Sequence, residues 1–368
     1  MNRKVRVMHT EWSDGWGGQE IRIISEMEGV RAEGVEVFLA CKEDSKIKEQ
    51  AIEKGFKVFI LPFKGNTDLK TLHGLYSIIK KNKINIVNTH SGKDTWVGGI
   101  AAKLAGVKFI RTRHLSNDIR ASRLNFINEM ADYIFTTGES IRDRMVQYNR
   151  INAENIESIP TGIDDEKFKP DLYDRDEVRK KLGIKDDELA IGIVAVLRAF
   201  KRHDRFVELV KKIVDSNKGK KIKFFIAGDG PQRKVIASKI DDLNLGQYIT
   251  CLGHVKEVPV LLTALDIFVL TSDSKEGVPQ SVMQALLMKK AVITTDAGST
   301  GDLYKDSNFI LVDRNDAEKM YLELNWLINN NNDEIERYSN NARSYVCDNF
   351  SHRIMIKKIM TVYEKLNG

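Results

Sequence analysis

The sequence has few of the features that mark secreted, metal-bound or membrane-spanning chains. Its three cysteines, Cys41, Cys251 and Cys347, lie far apart and form no CxxC pair or zinc-type pattern with histidine. This spacing argues against a structural zinc site and against a disulfide framework. No apolar run approaches the ~18 residues of a membrane span, and the opening MNRKVRVMHT lacks a signal-peptide core. The sequence therefore predicts a cytoplasmic location.

A strong excess of charge of one sign is also lacking. The formal net charge is +6, with 25 Lys and Arg against 22 Asp and Glu in residues 1–165 and 33 against 30 in the remainder. This even distribution excludes the basic field that nucleic-acid binding requires. The sequence contains no GxxxxGK[ST], GxSxG or HExxH, so the P-loop, hydrolase and zinc-protease patterns are excluded as well. We expect no nucleic-acid partner.

Short apolar runs alternate with helix-length segments along the whole chain, which predicts parallel sheets with helices on both faces. A chain of 368 residues exceeds one ordinary core. We predict an α/β protein of two Rossmann-like domains, 1–165 and 166–345, with a C-terminal helix at about 346–368 joined to the first domain. Ligands are expected in the cleft that the domains face, beyond the strand ends. The predicted strands are 5–9, 35–40, 57–61, 84–90, 108–114, 133–138, 158–162, 189–197, 221–228, 248–253, 266–272, 291–295 and 309–313.

Two loops after predicted strands have residues suited to anions. Gly17 and Gly18 precede the first helix, where backbone N–H groups can approach a phosphate closely; an ordinary turn is the alternative. In LRAFKRHD, Arg198 and Lys201 are three residues apart at a strand end. A planar guanidinium and a compact ammonium together suit a diphosphate, although a solvated basic turn is the alternative.

The stretch SDSKEGVPQSVMQALL, residues 272–287, places one acid on a Gly-Pro turn between a strand and a helix. Glu276 precedes Gly277 and Val278, and Gln284 follows eight positions after the acid. Elsewhere, GDGP at 228–231 predicts a tight turn into a helix. The DxD spacing of Asp174 and Asp176 lies in a charged helix start, which favours capping over metal binding.

Two histidines, His90 and His114, end strands predicted to be neighbours in the first domain. A histidine at a strand end can donate or accept a hydrogen bond, or act as an acid or base. A satisfied structural histidine is the alternative.

Taken in order, these motifs resemble the retaining GT-B glycosyltransferases of the family 4 type, which include many bacterial lipopolysaccharide and capsule enzymes. The resemblance spans nearly the whole chain and rests on GGQE, TRH, IPTGID, LRAFK, GDGP, DIFVLTS, EGVPQSVMQA and TTDAG. It implies a nucleotide-diphosphate-sugar donor, UDP- or GDP-linked, bound mainly by the second domain. It also implies a glycan or lipid-linked acceptor bound mainly by the first domain, and no essential metal or other cofactor.

The resemblance assigns roles to single residues. Glu276 matches the glutamate that faces the donor sugar, and Gln284 stands where a second glutamate holds the ribose. Arg198 and Lys201 match the diphosphate clamp, with the N–H groups of Gly277 and Val278 near the phosphate. Three more departures are Arg202 and Ser299 in place of glycines and Asp302 in place of a glutamate. Two further matches complete the site: Gly18 for the loop glycine at the phosphates and His114 for the histidine beside the reactive end of the sugar.

No second carboxylate is placed as a nucleophile, so a front-face displacement is the mechanism we expect, with the departing diphosphate taking the acceptor's proton. Two alternatives remain open: a catalytically weak sugar-nucleotide-binding scaffold subunit, suggested by Gln284, and a GT-B nucleotide-sugar epimerase.

Two helices are predicted to have apolar faces. Residues 68–87 carry Leu72, Leu75, Tyr76 and Ile79 on one side and lysines elsewhere, which suits peripheral contact with the inner face of an anionic membrane. An ordinary surface helix is the alternative. The C-terminal helix carries Ile356, Ile359, Met360, Tyr363 and Leu366, and the resemblance implies that it crosses back to the first domain.

Overall fold

The computed structural model describes residues 4–114, 126–274, 276–305, 307–330 and 333–368, and it divides into two compact units. The first unit comprises Met1–Gly162 and His352–Gly368, and the second comprises Ile163–Ser351. The division therefore falls at Gly162 rather than at the predicted residue 165. The chain re-enters the first unit at His352, later than the predicted residue 346.

The first unit is a seven-stranded parallel sheet with the order β3-β2-β1-β4-β5-β6-β7. Its strands are β1 (Arg6–Glu11), β2 (Glu36–Cys41), β3 (Lys57–Ile60), β4 (Ile86–Thr89), β5 (Lys108–Arg113), β6 (Tyr133–Thr136) and β7 (Ile156–Ser158). Its helices before residue 162 are α1 (Gly18–Ala32), α2 (Lys46–Glu53), α3 (Leu69–Asn82), α4 (Gly92–Ala105) and α5 (Glu139–Asn149). The strand predicted at 158–162 was wrong: β7 ends at Ser158, and the proline-containing segment IPTG that follows is not a strand.

Both faces of this sheet are buried, as the side-chain alternation of a strand requires. Val7 and Val37 pack into one apolar cluster, whereas their neighbours Met8 and Phe38 pack into another. At α3, the Asp68 side chain accepts hydrogen bonds from the backbone N–H groups of Lys70 and Thr71. This cap fixes the residue at which α3 begins.

The second unit is a six-stranded parallel sheet with the order β10-β9-β8-β11-β12-β13. Its helices are α6 (Arg175–Lys181), α7 (His203–Ser216), α8 (Arg233–Asp242), α9 (Val258–Ala264), α10 (Gln280–Leu287), α11 (Ala317–Asn330) and α12 (Asp333–Phe350). Its strands are β8 (Leu189–Val194), β9 (Ile222–Ala227), β10 (Ile249–Gly253), β11 (Ile267–Leu270), β12 (Ala291–Asp296) and β13 (Ile310–Asp313). Asp174 caps α6 by accepting from Glu177 N at 3.0 Å, so the predicted capping role of the DxD stretch is confirmed.

The last helix, α13 (His352–Asn367), belongs to the first unit. Five of its side chains, Met355, Ile356, Ile359, Val362 and Tyr363, are buried in the cluster that contains β1 and α1 residues, and Met360 and Leu366 pack at its margin. The two Rossmann-like sheets confirm the predicted α/β fold class.

Candidate active site

The turn after β8 carries the two basic residues predicted to bind a diphosphate. A short 3-10 helix, Ala199–Lys201, follows the strand. The Lys201 side chain is largely buried, whereas Arg198 is exposed. Among the described residues, the Arg198 guanidinium makes no hydrogen bond or ion pair. One positive charge is therefore held by the protein and the other is open to a ligand.

Lys201 and Glu276 form a buried ion pair. Nζ of Lys201 lies 2.5 Å from Oε1 of Glu276, and their side chains are 15% and 7% exposed. Ser272 Oγ donates to the same oxygen at 2.6 Å. The contact arises because β8 and β11, whose ends carry these loops, are adjacent in the sheet. The structure thus brings together two residues that the sequence could only place in separate loops.

Gly298, which sequence reasoning missed, sets the position of Glu276. It has φ +62°, and a Cβ at this residue would lie 2.0 Å from the Glu276 carbonyl oxygen. Ser299 N donates to the same carbonyl at 3.3 Å. A side chain at 298 would therefore displace the Glu276 backbone. The TTDAG loop was the available signal, because a glycine after an aspartate at a strand end often marks close backbone approach.

The remaining predicted donor-site residues lie around the start of α10. Gly277 is half-buried, Val278 is buried, and neither N–H makes a backbone hydrogen bond among the described residues. Gln284 is half-buried on the second turn of α10. The backbone donors and the amide therefore belong to one short segment that Glu276 precedes.

Arg202 explains one departure from the family pattern. Its φ is +51°, in the left-handed region where glycine is favoured. Its guanidinium donates to Asp204 through Nε at 2.9 Å and lies 3.3 Å from Asp273. These two carboxylates hold the guanidinium. The backbone at this position has a conformation that glycine adopts without cost.

The GDGP turn supports the same loop cluster. Gly228 and Gly230 have φ +147° and +156°, and a Cβ at Gly228 would lie 1.9 Å from Ala195 O. The predicted tight turn is confirmed, with positive φ at both glycines, and α8 begins at Arg233, two residues beyond Pro231. The backbone of this turn therefore lies directly against the segment that leads to Arg198.

In the first unit, Gly18 is the first residue of α1 and is exposed. The preceding residue, Gly17, donates its N–H to Glu20 Oε2 at 2.8 Å. This capping contact satisfies one of the backbone donors that the paired glycines offer. The other backbone N–H groups in the first turn of α1 lie next to the exposed Gly18.

Two buried carboxyls of the first unit were missed. Glu11, at the end of β1, accepts from Trp12 N and Ser13 N at 2.8 Å and also contacts Gln19. Burial, and secondarily the nearby Asp94, raises the pKa of Glu11 to about 8. Burial also raises the pKa of Asp94, although that carboxyl accepts a hydrogen bond from Thr10 Oγ1 at 2.7 Å. Glu11 therefore favours its neutral form at neutral pH, and no motif in the sequence signals either acid.

His114 ends a row of three imidazoles, which we call the histidine row: His9, His90 and His114. His9 lies on β1, and the other two directly follow β4 and β5. His9 Nδ1 is 2.8 Å from His90 Nε2, and His90 Nδ1 is 3.0 Å from His114 Nε2. The prediction that His90 and His114 end adjacent strands is confirmed by the β4–β5 pairing. His9 was not singled out, although it is the last residue of the predicted strand 5–9; in the structure β1 continues to Glu11.

Behind the histidine row lies a fully buried Arg22 on α1. Its Nη1 donates to Ile159 O at 2.6 Å, and its Nε is 3.8 Å from Glu26 Oε2. Glu26 Oε1 accepts from Asn88 at 3.1 Å and from the Tyr363 hydroxyl at 3.4 Å. This network joins α1, β4 and α13.

Comparison with known families identifies the chain. A sequence model of Glycosyltransferase Family 4 matches residues 16–167, and one of Glycosyl transferases group 1 matches residues 174–345. Between them they span most of the chain. The chain belongs to the GT-B glycosyltransferases of the family 4 type. The expected fold and family are confirmed.

Individual relatives match over most of their length. The chain is 26% identical to the UDP-Gal:alpha-D-GlcNAc-diphosphoundecaprenol alpha-1,3-galactosyltransferase of Escherichia coli, over 98% of this chain and 97% of the relative. It is 25% identical to the putative glycosyltransferase EpsF of Bacillus subtilis, over 79% of each.

Solved structures share the fold. A glycosyltransferase from Rickettsia africae superposes with a TM-score of 0.90 at 19% identity, over 99% of this chain and 98% of the other. HepE of Anabaena in complex with UDP and glucose gives 0.82 at 18% identity, over 98% and 100%.

No described helix is both long and apolar enough to cross a bilayer. Among those residues, no group of three or more His, Cys, Asp or Glu side chains is arranged to hold a metal ion.

Proposed function

We propose that this glycosyltransferase uses a nucleotide-diphosphate sugar, with UDP as the first choice of nucleotide, and retains the configuration of the transferred sugar. The observation that carries the proposal is the Lys201–Glu276 pair beside an exposed Arg198. A diphosphate would take the open Arg198 fork and the Lys201 charge, while Glu276 would reach the sugar hydroxyls. UDP is favoured because the E. coli relative uses UDP-Gal and HepE was solved with UDP.

Catalysis in this proposal depends on charge stabilisation at the leaving group. As the glycosidic bond breaks, negative charge builds on the diphosphate, which Arg198, Lys201 and the N–H groups of Gly277 and Val278 would stabilise. The diphosphate oxygen would take the acceptor's proton on the same face of the sugar, so configuration is kept. Because side-chain cations and backbone donors supply the stabilisation, the proposal requires no metal.

The acceptor we propose is a glycan or a lipid-linked glycan of the cell envelope, as the E. coli relative's diphosphoundecaprenol substrate suggests. Peripheral contact with an anionic bilayer would bring such an acceptor close. On α3, Leu69 and Tyr76 are 75% and 37% exposed, and Lys70 and Lys81 are exposed on the same helix. Leu75 and Ile79 are buried instead, so the apolar face predicted for this helix is divided between core and solvent.

A nucleotide screen followed by turnover tests the donor proposal. Thermal melting with UDP, GDP, ADP and CMP should show the largest rise with UDP, about 2.7 kcal/mol of stabilisation at a hundredfold excess over Kd. Labelled UDP-sugars should then release UDP with an acceptor, in buffer containing a chelator, and proton NMR should show a retained anomeric configuration.

The possible outcomes of that assay separate the alternatives. An isomer formed without net UDP release would identify an epimerase, and binding without turnover would identify a scaffold subunit. Inversion at the anomeric carbon, or loss of turnover with chelator, would overturn the retaining or the metal-independent part of the proposal.

Sedimentation with vesicles tests the membrane part. The wild type should pellet with anionic vesicles at physiological salt, and the double substitution Lys70→Glu, Lys81→Glu should reduce pelleting. The matched control is Lys218→Glu with Lys234→Glu, which reverses two exposed lysines in the second unit. Failure of the wild type to pellet would remove this part.

A further inference from the structure

The histidine row is a chain of ring-to-ring hydrogen bonds with one buried end and one partly exposed end. His9 and His90 are 0% and 3% exposed, and His114 is partly exposed. The first two rings stack with centroids 5.1 Å apart, and the second and third are 5.3 Å apart. The row follows the strand order β1-β4-β5, so it depends on the sheet and not on sequence spacing.

The surroundings of the histidine row keep all three rings neutral. Burial lowers the pKa of His9 to about 3. Burial, followed by the neighbouring rings and then Arg22, lowers the pKa of His90, and burial followed by the positive charge of Arg22 lowers the pKa of His114. Arg113 adds to this effect at the exposed end. Among the described residues, the buried Asp94 accepts from the His90 backbone N–H and the buried Glu26 accepts from Asn88, and neither carboxyl accepts from the rings. Each ring therefore carries one proton.

Three neutral rings share three ring protons, and the two hydrogen bonds within the row use two of them. The third proton must lie at one end, on His9 Nε2 or on His114 Nδ1. The direction of both internal bonds follows from that choice, because a neutral imidazole has one donor and one acceptor nitrogen.

The buried end decides the direction. His9 Nε2 is buried and has no hydrogen-bond partner among the described residues. A proton there would be an orphaned buried donor, which is rarer and costlier than an unused acceptor lone pair. A proton on His114 Nδ1 can instead meet water or a ligand. The favoured arrangement has His9 Nδ1–H donating to His90 Nε2 and His90 Nδ1–H donating to His114 Nε2.

We propose that His9 and His90 are positioning residues that hold His114 in its Nδ1–H tautomer, so that His114 donates a hydrogen bond to an oxygen of the bound sugar nucleotide. This inference rests on the proposed function for its ligand. A free histidine in water favours the opposite tautomer, with the proton on Nε2. The row therefore reverses an intrinsic preference and gives the site a neutral donor that cannot serve as an acceptor at Nδ1.

The tautomer can be measured without any ligand or turnover. Long-range proton–nitrogen NMR of the full chain labelled at histidine nitrogens distinguishes a protonated Nδ1 from a protonated Nε2. At pH 7 we expect His9, His90 and His114 to be Nδ1–H. Protonation of His114 on Nε2, or an imidazolium signal from any of the three, would overturn the proposal. This wild-type spectrum decides the point even if a variant fails to fold.

Two substitutions at the buried end test whether the row acts on His114. His9→Leu removes both nitrogens, and the His114 signal should shift to a mixture of tautomers. His9→Asn places an amide N–H where Nδ1 stood, and it should restore the Nδ1–H signal. His73→Leu, at an exposed histidine of α3, is the matched control. A His114 spectrum unchanged in His9→Leu would show that the row does not set the tautomer.

Ligand and activity measurements test whether His114 donates a hydrogen bond to the bound sugar nucleotide. UDP and the accepted UDP-sugar are added in separate titrations. The His114 Nδ1 proton signal should shift when the sugar nucleotide is added. In His9→Leu, kcat/KM should fall about threefold to tenfold, the effect of one misdirected hydrogen bond, with recovery in His9→Asn. Absence of any UDP binding would reject the proposed function while the tautomer result stands. Binding without a change at His114 would reject the hydrogen bond to the ligand alone.

Discussion

In the second unit, Lys201 and Glu276 form an ion pair, whereas Arg198 is exposed. Among the described residues, no side chain or backbone group pairs with the Arg198 guanidinium. In the first unit, the carboxyl ends of β1, β4 and β5 hold the histidine row, where burial and Arg22 prevent charging. The pKa of Glu11 is likewise raised by burial.

The same sheet architecture thus presents fixed charge in one unit and neutral hydrogen-bonding groups in the other. Fixed cations suit a diphosphate, whose charge rises during transfer. Neutral donors and acceptors suit the oxygens of a sugar substrate. The contrast separates groups suited to a diphosphate from neutral hydrogen-bonding groups, and the predictions below test the two units and these two kinds of group.

The largest expected effect concerns the independence of the two units. Deleting residues 352–368 removes five buried side chains of α13 from the first unit. Burial of each such side chain contributes about 1.5–3 kcal/mol, so the upper estimate for the free energy of unfolding lost is roughly 7–15 kcal/mol. This loss is comparable with the whole stability of a domain. We expect hydrogen exchange to show the first unit unprotected and the second, Ile163–Ser351, still protected.

The control for this truncation removes only residues 367–368, which should leave both units protected. Unchanged protection of the first unit in the long truncation would show that α13 adds little to it. Loss of protection in both units would show that they do not fold independently.

The next effect concerns the charged side. Lys201→Met removes the cation proposed to stabilise the leaving diphosphate and leaves Glu276 buried without its partner. We expect kcat to fall by about 100- to 1000-fold, as when one essential transition-state donor is lost. Lys218→Met, at an exposed lysine of the same unit, is the control. A change below about threefold in steady-state kinetics would contradict the assigned role.

The sequence predicted the charged side better than the neutral one, for a physical reason. Arg198, Lys201 and Glu276 occur at strand ends in loops whose glycines and prolines mark turns, so local patterns locate them. The contact between Lys201 and Glu276 itself was not predicted, because it depends on β11 lying beside β8 in the sheet. The other predicted strands overlap observed ones, but several were too long, as for 189–197 against Leu189–Val194 and 266–272 against Ile267–Leu270.

The histidine row could not be predicted in the same way. His9 ends the predicted strand 5–9, but its contact with His90 depends on β4 lying beside β1, an order that the strand patterns alone do not give. Glu11 and Asp94 were missed because burial, which raises their pKa, is a property of the folded core. Gly298 similarly acquires its meaning only from the Glu276 carbonyl that it contacts.

A smaller effect tests whether the neutral side is kept neutral by burial. The Glu11 pKa rises from 4.5 to about 8 on folding, so the folded state binds a proton more tightly than the unfolded state. Its contribution to stability is complete below pH 4.5 and is lost as pH rises through 8. In Glu11→Gln, an amide replaces the carboxyl, so the melting temperature should fall less between pH 5 and pH 9 than in the wild type.

The control for the pH experiment is Glu33→Gln, at an exposed carboxyl of the same unit, which should follow the wild type. If Glu11→Gln also follows the wild type across this range, Glu11 is not held neutral, and the contrast between the two units loses one of its supports.

The smallest effect lies within α10 and its preceding loop, where two side chains eight residues apart should respond differently. Glu276→Gln keeps the shape and loses the charge beside Lys201, and kcat should fall about tenfold, or ~1.4 kcal/mol of transition-state stabilisation. Gln284 is half-buried on the helix and would contact only the ribose, which barely changes during transfer. Gln284→Glu should therefore leave kcat unchanged and lower the donor KM by roughly threefold, because a carboxylate strengthens its hydrogen bond to the ribose diol. Steady-state kinetics of both variants with the identified donor measures the split. If Gln284→Glu lowers kcat as much as Glu276→Gln while KM stays fixed, the ribose and sugar roles have been assigned to the wrong residues, because an effect confined to kcat requires a group whose contact changes as the bond breaks.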